Sequence, residues 1–197
     1  MCIRDRSYSG VNPNYDYPPA VVRIRNITAQ SFDVRIQGWE DSAAATSNVH
    51  CIVSDEGAYT LPNGTQYEAR TVLSDGTNGQ FSTDGGWNLG LMEDVSGLVT
   101  QTYTNHVVLG QVISYNDNRA STFFTTDCEV RANEPYHAGH ADGICVGKQI
   151  GMVSSSRNDE MLGFLVAEAG SGTVNGITFE LDRGTDTVGG NLSLIHI

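Results

Sequence analysis

His137, His140 and Asp142 fall together in the stretch His137-Ala-Gly-His-Ala-Asp142. Two imidazoles and a carboxylate can ligate zinc or another transition metal and leave one position open for water or substrate. Their spacing matches no strong catalytic signature, and no helical pattern is present to fix the ligands. A polar, glycine-bearing surface loop is the simpler account. Oxygen-rich turns recur at Ser74–Gly79, Ser82–Gly86 and Asn116–Asn118. They carry calcium-binding chemistry without the full spacing of an EF-hand, and plain turns explain them. The adjacent carboxylates Glu40/Asp41 and Asp159/Glu160 would point to opposite faces of a strand, so neither pair makes a dyad. The chain has no G-x-S-x-G, phosphate loop or dinucleotide fingerprint. The expectation is a protein that is not an enzyme and has no cofactor, with calcium and zinc the ions weighed.

Phe32-Asp-Val-Arg-Ile-Gln-Gly-Trp39 is the clearest strand. Phe32, Val34 and Ile36 alternate onto one face, the expected core side. Asp33, Arg35, Gln37 and Trp39 take the other. A tryptophan in line with polar side chains either caps a sandwich end or offers its indole face to a sugar ring. The sugar reading makes Trp39 a platform, with Arg35, Gln37, Glu40 and Asp41 as polar partners.

Both ends of the chain read as laboratory DNA. Met1–Arg6 can be encoded by ATGTGTATAAGAGACAG and Leu192–Ile197 by CTGTCTCTTATACACAT, which are reverse complements. They resemble the transposon ends used in sequencing libraries, so residues 1–6 and 192–197 are set aside as adapter. The rest is expected to be a window from a longer environmental gene. Without Arg4, Asp5 and Arg6, 9 cations face 22 carboxylates, and Lys148 is the only lysine. Such an acidic surface repels nucleic acid and anionic membranes. Gly, Thr, Ser, Asn and Asp dominate and long helical periodicity is missing, which predicts an all-β chain.

Two segments repeat. Cys51–Gly57 leads to Asn63-Gly-Thr-Gln-Tyr-Glu68, and Phe164–Gly170 leads to Asn175-Gly-Ile-Thr-Phe-Glu180. Each is an apolar strand, a glycine, an Asn-Gly turn and another strand. The offset is 113 residues at the glycines and 112 at the glutamates. That period predicts two tandem antiparallel β-sandwich domains, residues 7–97 and 98–191, meeting near 95–100. The core of the first is expected from Phe32, Val34, Ile36, Ile52 and the strand near Tyr67. Ser114-Tyr115 closes the strand Val107–Ile113, and Ser7-Tyr8 echoes it, so the first domain is expected to lack its first strand. The unpaired edge this leaves favours aggregation or strand capture.

Setting Cys2 aside leaves three cysteines. Cys128 and Cys145 lie 17 residues apart in the part of the second domain that diverges from the repeat. A disulfide pinning that insert would contribute roughly 3 kcal/mol and imply an extracellular or periplasmic setting. Cys51, in an apolar strand, reads as a free, small buried hydrophobe. Asn26-Ile-Thr28 and Asn63-Gly-Thr65 match the glycosylation sequon but also have turn explanations.

Arg23–Asp41 followed by Asn48–Val53 resembles the H-type lectin domain, which has an N-[VI]-T strand entry and a tryptophan seven residues after a phenylalanine. Val107–Tyr115 is similar to that family's opening strand and Leu162–Ala167 to its closing one. The resemblance implies a small antiparallel sandwich that associates as a trimer and binds N-acetylgalactosamine-type sugars between subunits. Trp39 holds the family's tryptophan position. Glu40 stands where the family has its binding histidine, and Pro19 where it has its arginine. The expectation is a non-catalytic carbohydrate-binding or adhesion module of a larger secreted or surface protein. Its partners would be glycans, with no nucleic acid, no membrane insertion and a possible homo-oligomer. A structural spacer repeat is the second reading, and a metal-dependent hydrolase using His137, His140 and Asp142 the third.

Overall fold

β-Branched and aromatic residues in period-two patterns turn most of the described residues into strands. The computed structural model describes residues 2–5, 20–38, 48–74, 93–127, 143–149 and 157–182. Thirteen strands run through them, and none of these residues is helical. In chain order they are β1 (Cys2–Asp5), β2 (Ala20–Arg25), β3 (Asp33–Gly38), β4 (Asn48–Cys51), β5 (Gly57–Thr60) and β6 (Gln66–Ser74). Then follow β7 (Glu93–Asp94), β8 (His106–Val112), β9 (Thr122–Asp127), β10 (Ile144–Gln149), β11 (Glu160–Glu168), β12 (Gly170–Val174) and β13 (Ile177–Leu181). The all-β expectation holds.

A four-stranded sheet in the order β5-β6-β11-β8 faces a three-stranded sheet in the order β7-β10-β9, every pairing antiparallel. Leu162, Phe164 and Val166 alternate along β11 onto one side. There they meet Val108 and Val112 of β8 and Ile144 and Val146 of β10 in one buried cluster. This sandwich-like core is closed by Val95 and Val99, with Phe123 and Tyr103 packed against it. The pairs β1-β4, β2-β3 and β12-β13 form separate two-stranded ladders.

The boundary expected near 95–100 does not separate two sheets. β6, from the first half, pairs with β11, from the second, over eight positions from Tyr67↔Ala167 to Ser74↔Glu160. Val95 is fully buried in the shared core rather than lying in a linker. The core expected for the first half is not formed either: Val34 and Ile52 are exposed, and Phe32, Ile36 and Tyr67 are only half-buried. The physical reason is that β6 spends its pairing edge on β11, so the common core grows on that side.

The repeat itself is visible in the backbone. Gly57 and Gly170 share φ near 150° (153° and 152°), a conformation that L side chains rarely adopt. The two Asn-Gly turns differ. Asn175 and Gly176 both have positive φ and close a two-residue hairpin with Val174 opposite Ile177. In the first copy Pro62 precedes Asn63, and only Gly64 has positive φ. There Gly64 N donates to Leu61 O and Leu61 N to Thr65 O, which makes a longer loop.

Residues 2–5, set aside as adapter, form β1 and pair with β4, Cys2 opposite Cys51. In the second half β8 pairs with β11, Gly110 opposite Phe164. Phe164 is the repeat partner of Cys51, so β1 takes the place beside β4 that β8 takes beside β11. Cys51 is exposed and disulfide-bonded, which corrects its reading as a free, buried residue. Cys145 is buried and also disulfide-bonded, while Cys128 lies outside the described residues.

Candidate functional site

Where the β2-β3 hairpin meets the start of β11, charged side chains gather at one end of the sandwich. Counting back by twos from Leu162 puts Glu160 on the core side of β11. It is 1% exposed there and faces Arg23 of β2, also 1% exposed, at 2.5 Å. Glu160 also accepts from Ser114 Oγ, Asn116 N (3.1 Å) and Asp117 N (3.0 Å). Arg23 donates further to Ser114 O (2.8 Å), Ser121 Oγ (3.2 Å) and Arg119 O (3.3 Å). The pair thus clamps the loop 114–121 from both sides. Ionised partners make such hydrogen bonds stronger than neutral ones.

Asp117, inside that loop, is buried and bidentate to Arg119 (Nε 2.9 Å, Nη2 2.6 Å). The Arg119 side-chain bonds hold the carboxyl far below the usual range. Burial opposes this, and the backbone N–H groups of Arg119 and Asn158 add to it. Lys148 of β10 is 1% exposed and donates to Ser74 O (3.1 Å) and Asn158 O (2.7 Å). Burial pushes its ammonium pKa down, against the pull of Glu160, Asp159 and Asp117.

Above the clamp lies Tyr115. The guanidinium carbons of Arg23, Arg35 and Arg25 sit 5.2, 5.3 and 5.8 Å from its ring centroid, within cation–π range. Arg35 Nη1 also donates to Tyr115 OH at 2.8 Å. In a chain of net charge −12, this end gathers Arg23, Arg25, Arg35, Arg119, Lys148 and Arg157 around four carboxylates.

A third buried carboxylate, Glu68 of β6, does the same work on residues 100–103. It accepts from Thr100 N and Oγ1, Gln101 N, Arg70 Nη2 and Tyr103 OH. Burial raises its pKa, but the hydrogen bonds outweigh that and the net shift is downward. The same carboxylate pushes the Tyr103 phenol, already raised by burial, well above its usual value.

Of the residues expected to contact sugar, two lie among the described residues. Arg35 is exposed beside Tyr115, but Gln37 is fully buried and its amide donates to Asn118 O. Gln37 is therefore a strut between β3 and the loop, and not an exposed sugar contact. Trp39, Glu40, Asp41, His137, His140 and Asp142 lie outside the described residues. Among the described residues no three potential metal ligands converge. Asp117 answers the calcium reading of the Asn116–Asn118 turn, because arginine already occupies its oxygens. Asp159 is exposed while Glu160 is buried, so that pair does point apart. At the first sequon, Asn26 Nδ2 donates to Asp33 Oδ2 at 2.7 Å across the β2-β3 turn.

Sequence reasoning missed Arg23, Glu160, Asp117 and Tyr115. The signal was present for Glu160, which sits on the apolar register of β11 with Leu162, Phe164 and Val166, where a carboxylate must find partners. Comparison with protein-family models, characterised proteins and solved structures finds no match.

Proposed function

We propose that this chain is a non-catalytic carbohydrate-binding or adhesion module of a secreted or surface protein. The observation that carries this reading is the Tyr115 ring faced by Arg25 and Arg35 on the strand pair that leads to Trp39. An aromatic face beside guanidinium donors offers stacking to sugar C–H groups and hydrogen bonds to hydroxyl or acidic groups. The buried carboxylates Glu160, Asp117 and Glu68 bind loop N–H groups and guanidinium groups, a structural use that speaks against acid–base catalysis by them.

A glycan array probed with the full chain, then with Arg35→Ala and Trp39→Ala, tests it. Binding that falls about tenfold or more in both variants supports the reading. No hit on the array, or hits indifferent to both changes, refutes it. The second reading is a structural spacer, favoured by the β6–β11 ladder that ties the two halves into one sheet.

A further inference from the structure

The four-stranded sheet has a second apolar face, turned away from the shared core. Leu162, Phe164 and Val166 face inward, so alternation along β11 turns Leu165 and Ala167 outward. The ladders fix their neighbours. Ala167 lies between Tyr67 of β6 and Val107 of β8, and Leu165 lies between Ala69 and Leu109. Ala167 is the smallest member of its row, which leaves a depression between the Tyr67 ring and Val107. Its floor is deep: Val107, Ala167 and Leu109 are 2%, 7% and 8% exposed.

The rest of the chain roofs this depression without filling it. Phe179 and Leu181 of β13 and the segment 52–54 stand over the floor, around a cleft of about 300 Å³. Its walls are held in place. Tyr67 stacks on Tyr59 with ring centroids 5.1 Å apart. Gly172 of β12 leaves room for the Asn63 amide, which seats the hairpin β12-β13 on the β5-β6 turn. Among the described residues no charged side chain lines the cleft, and the polar ones are the hydroxyls of Ser54, Thr65 and Tyr67. Ser54 Oγ donates to Asp55 O at 3.0 Å. Tyr67 OH is 3.4 Å from Ser54 Oγ, longer than an ordinary hydroxyl hydrogen bond, so its proton can serve another acceptor.

Such a space suits neither water nor an ion. A buried water needs about two to four polar partners, and an ion there would lose its hydration without a counter-charge. An apolar cavity of about 150 Å³ holds one benzene ring, so this cleft has room for about two fused rings.

We propose that the cleft binds an uncharged, apolar ligand of about two fused rings that carries one hydroxyl or carbonyl oxygen. The rings lie on Ala167 between Tyr67 and Val107, beneath Phe179 and Leu181, and the oxygen accepts from Tyr67 OH. This is a second site, beyond the glycan reading and independent of it.

Isothermal titration of the full chain at neutral pH with naphthol, and with naphthoate as its charged counterpart, tests the proposal. Naphthol is expected to bind, and naphthoate to bind at least about tenfold more weakly. Ala167→Leu fills the cleft from the floor and Leu181→Trp fills it from the roof. Each should weaken naphthol binding about tenfold or more, with the far-UV circular dichroism spectrum unchanged. Tyr67→Phe keeps the ring and removes the hydroxyl, so it tests the site even if a filled variant does not fold. It should weaken naphthol about fivefold through the lost hydrogen bond. A chain that binds neither compound overturns the proposal, as does naphthoate bound as tightly as naphthol. Naphthol binding indifferent to Tyr67→Phe and to the filled variants places the ligand elsewhere and also overturns it.

Discussion

Glu160 shows why a buried charge in this chain is a positional device. Its partner Arg23 is separated from it by 137 residues, and both are taken out of water. Desolvation makes such a pair weak evidence for stability, yet breaking it is costly because one charge stays buried and uncompensated. Glu160→Gln is therefore expected to destabilise the chain by about 3–5 kcal/mol in urea denaturation, and Arg23→Met on that background should recover part of the loss. A change under about 1 kcal/mol would show that water already reaches the pair. The carboxylates also fix the pH response. Glu68 and Asp117 have folded pKa values below those of the unfolded chain, so their stabilisation is present above the unfolded value, about 4. It is lost as pH falls through the folded values. Melting temperature should stay level from neutral pH to about 5 and drop below about 4, and Glu68→Gln should shrink that drop. These residues were only half legible. The period of two puts Glu160 on the apolar register of β11, whereas Glu68 alternates with Gln66, Arg70 and Ser74, and no local pattern names Arg23 or Thr100 as partners. Gln37 shows the opposite failure: it alternates with the apolar face of β3, yet Asn118 O is folded over it and removes it from solvent.

The strands themselves were the most legible level. The apolar runs at Val107–Ile113 and Leu162–Ala167 became β8 and β11, and Asn175-Gly176 closed the hairpin its chemistry favours. The face of β3 was not legible, because Val34 and Ile36 can be buried only if another sheet arrives to cover them. Across the sandwich, β8 and β9 meet through a glycine. A Cβ placed on Gly110 would come 2.3 Å from Cζ of Phe123, so the half-buried ring packs where a side chain would otherwise be. Gly110→Ala is expected to cost about 1–3 kcal/mol by overpacking. Combined with Phe123→Leu it should cost less than the two single changes summed, and a double-mutant cycle by chemical denaturation measures this. Strict additivity would mean that the ring moves aside freely. Phe164 and Phe32 separate core from periphery in the same assay. Phe164, 3% exposed in the central cluster, should lose about 3–5 kcal/mol on truncation to alanine. Phe32, half-buried at an apolar cleft of about 140 Å³, should lose clearly less.

At the scale of the whole chain, the β6–β11 ladder joins in one sheet the two halves that the repeat was expected to separate. The strands, turns and offsets are local information, whereas the choice of partner for β6 is not. Two nearly equivalent strands, the Cys51 segment and β11, offer β6 similar apolar surfaces, and sequence spacing cannot decide between them. β11 wins because it also has β8 on its other edge and a second sheet behind it, so one more strand there extends an existing core. The consequence is mutual dependence of the halves. A polypeptide ending at residue 97 would keep β6 without β11, and the remainder would keep β11 with one side of its ladder bare and without Val95 beneath it. Each fragment alone is expected to lack cooperative melting, because a sheet edge of eight positions and part of the shared core are missing. Mixed together, they should regain a cooperative transition and strand-type circular dichroism, since both sides of the ladder are then present. Two tandem domains with private cores would behave differently: each fragment would melt cooperatively by itself, and mixing would change nothing. Fragment complementation followed by thermal melting therefore separates a shared sheet from a string of independent modules.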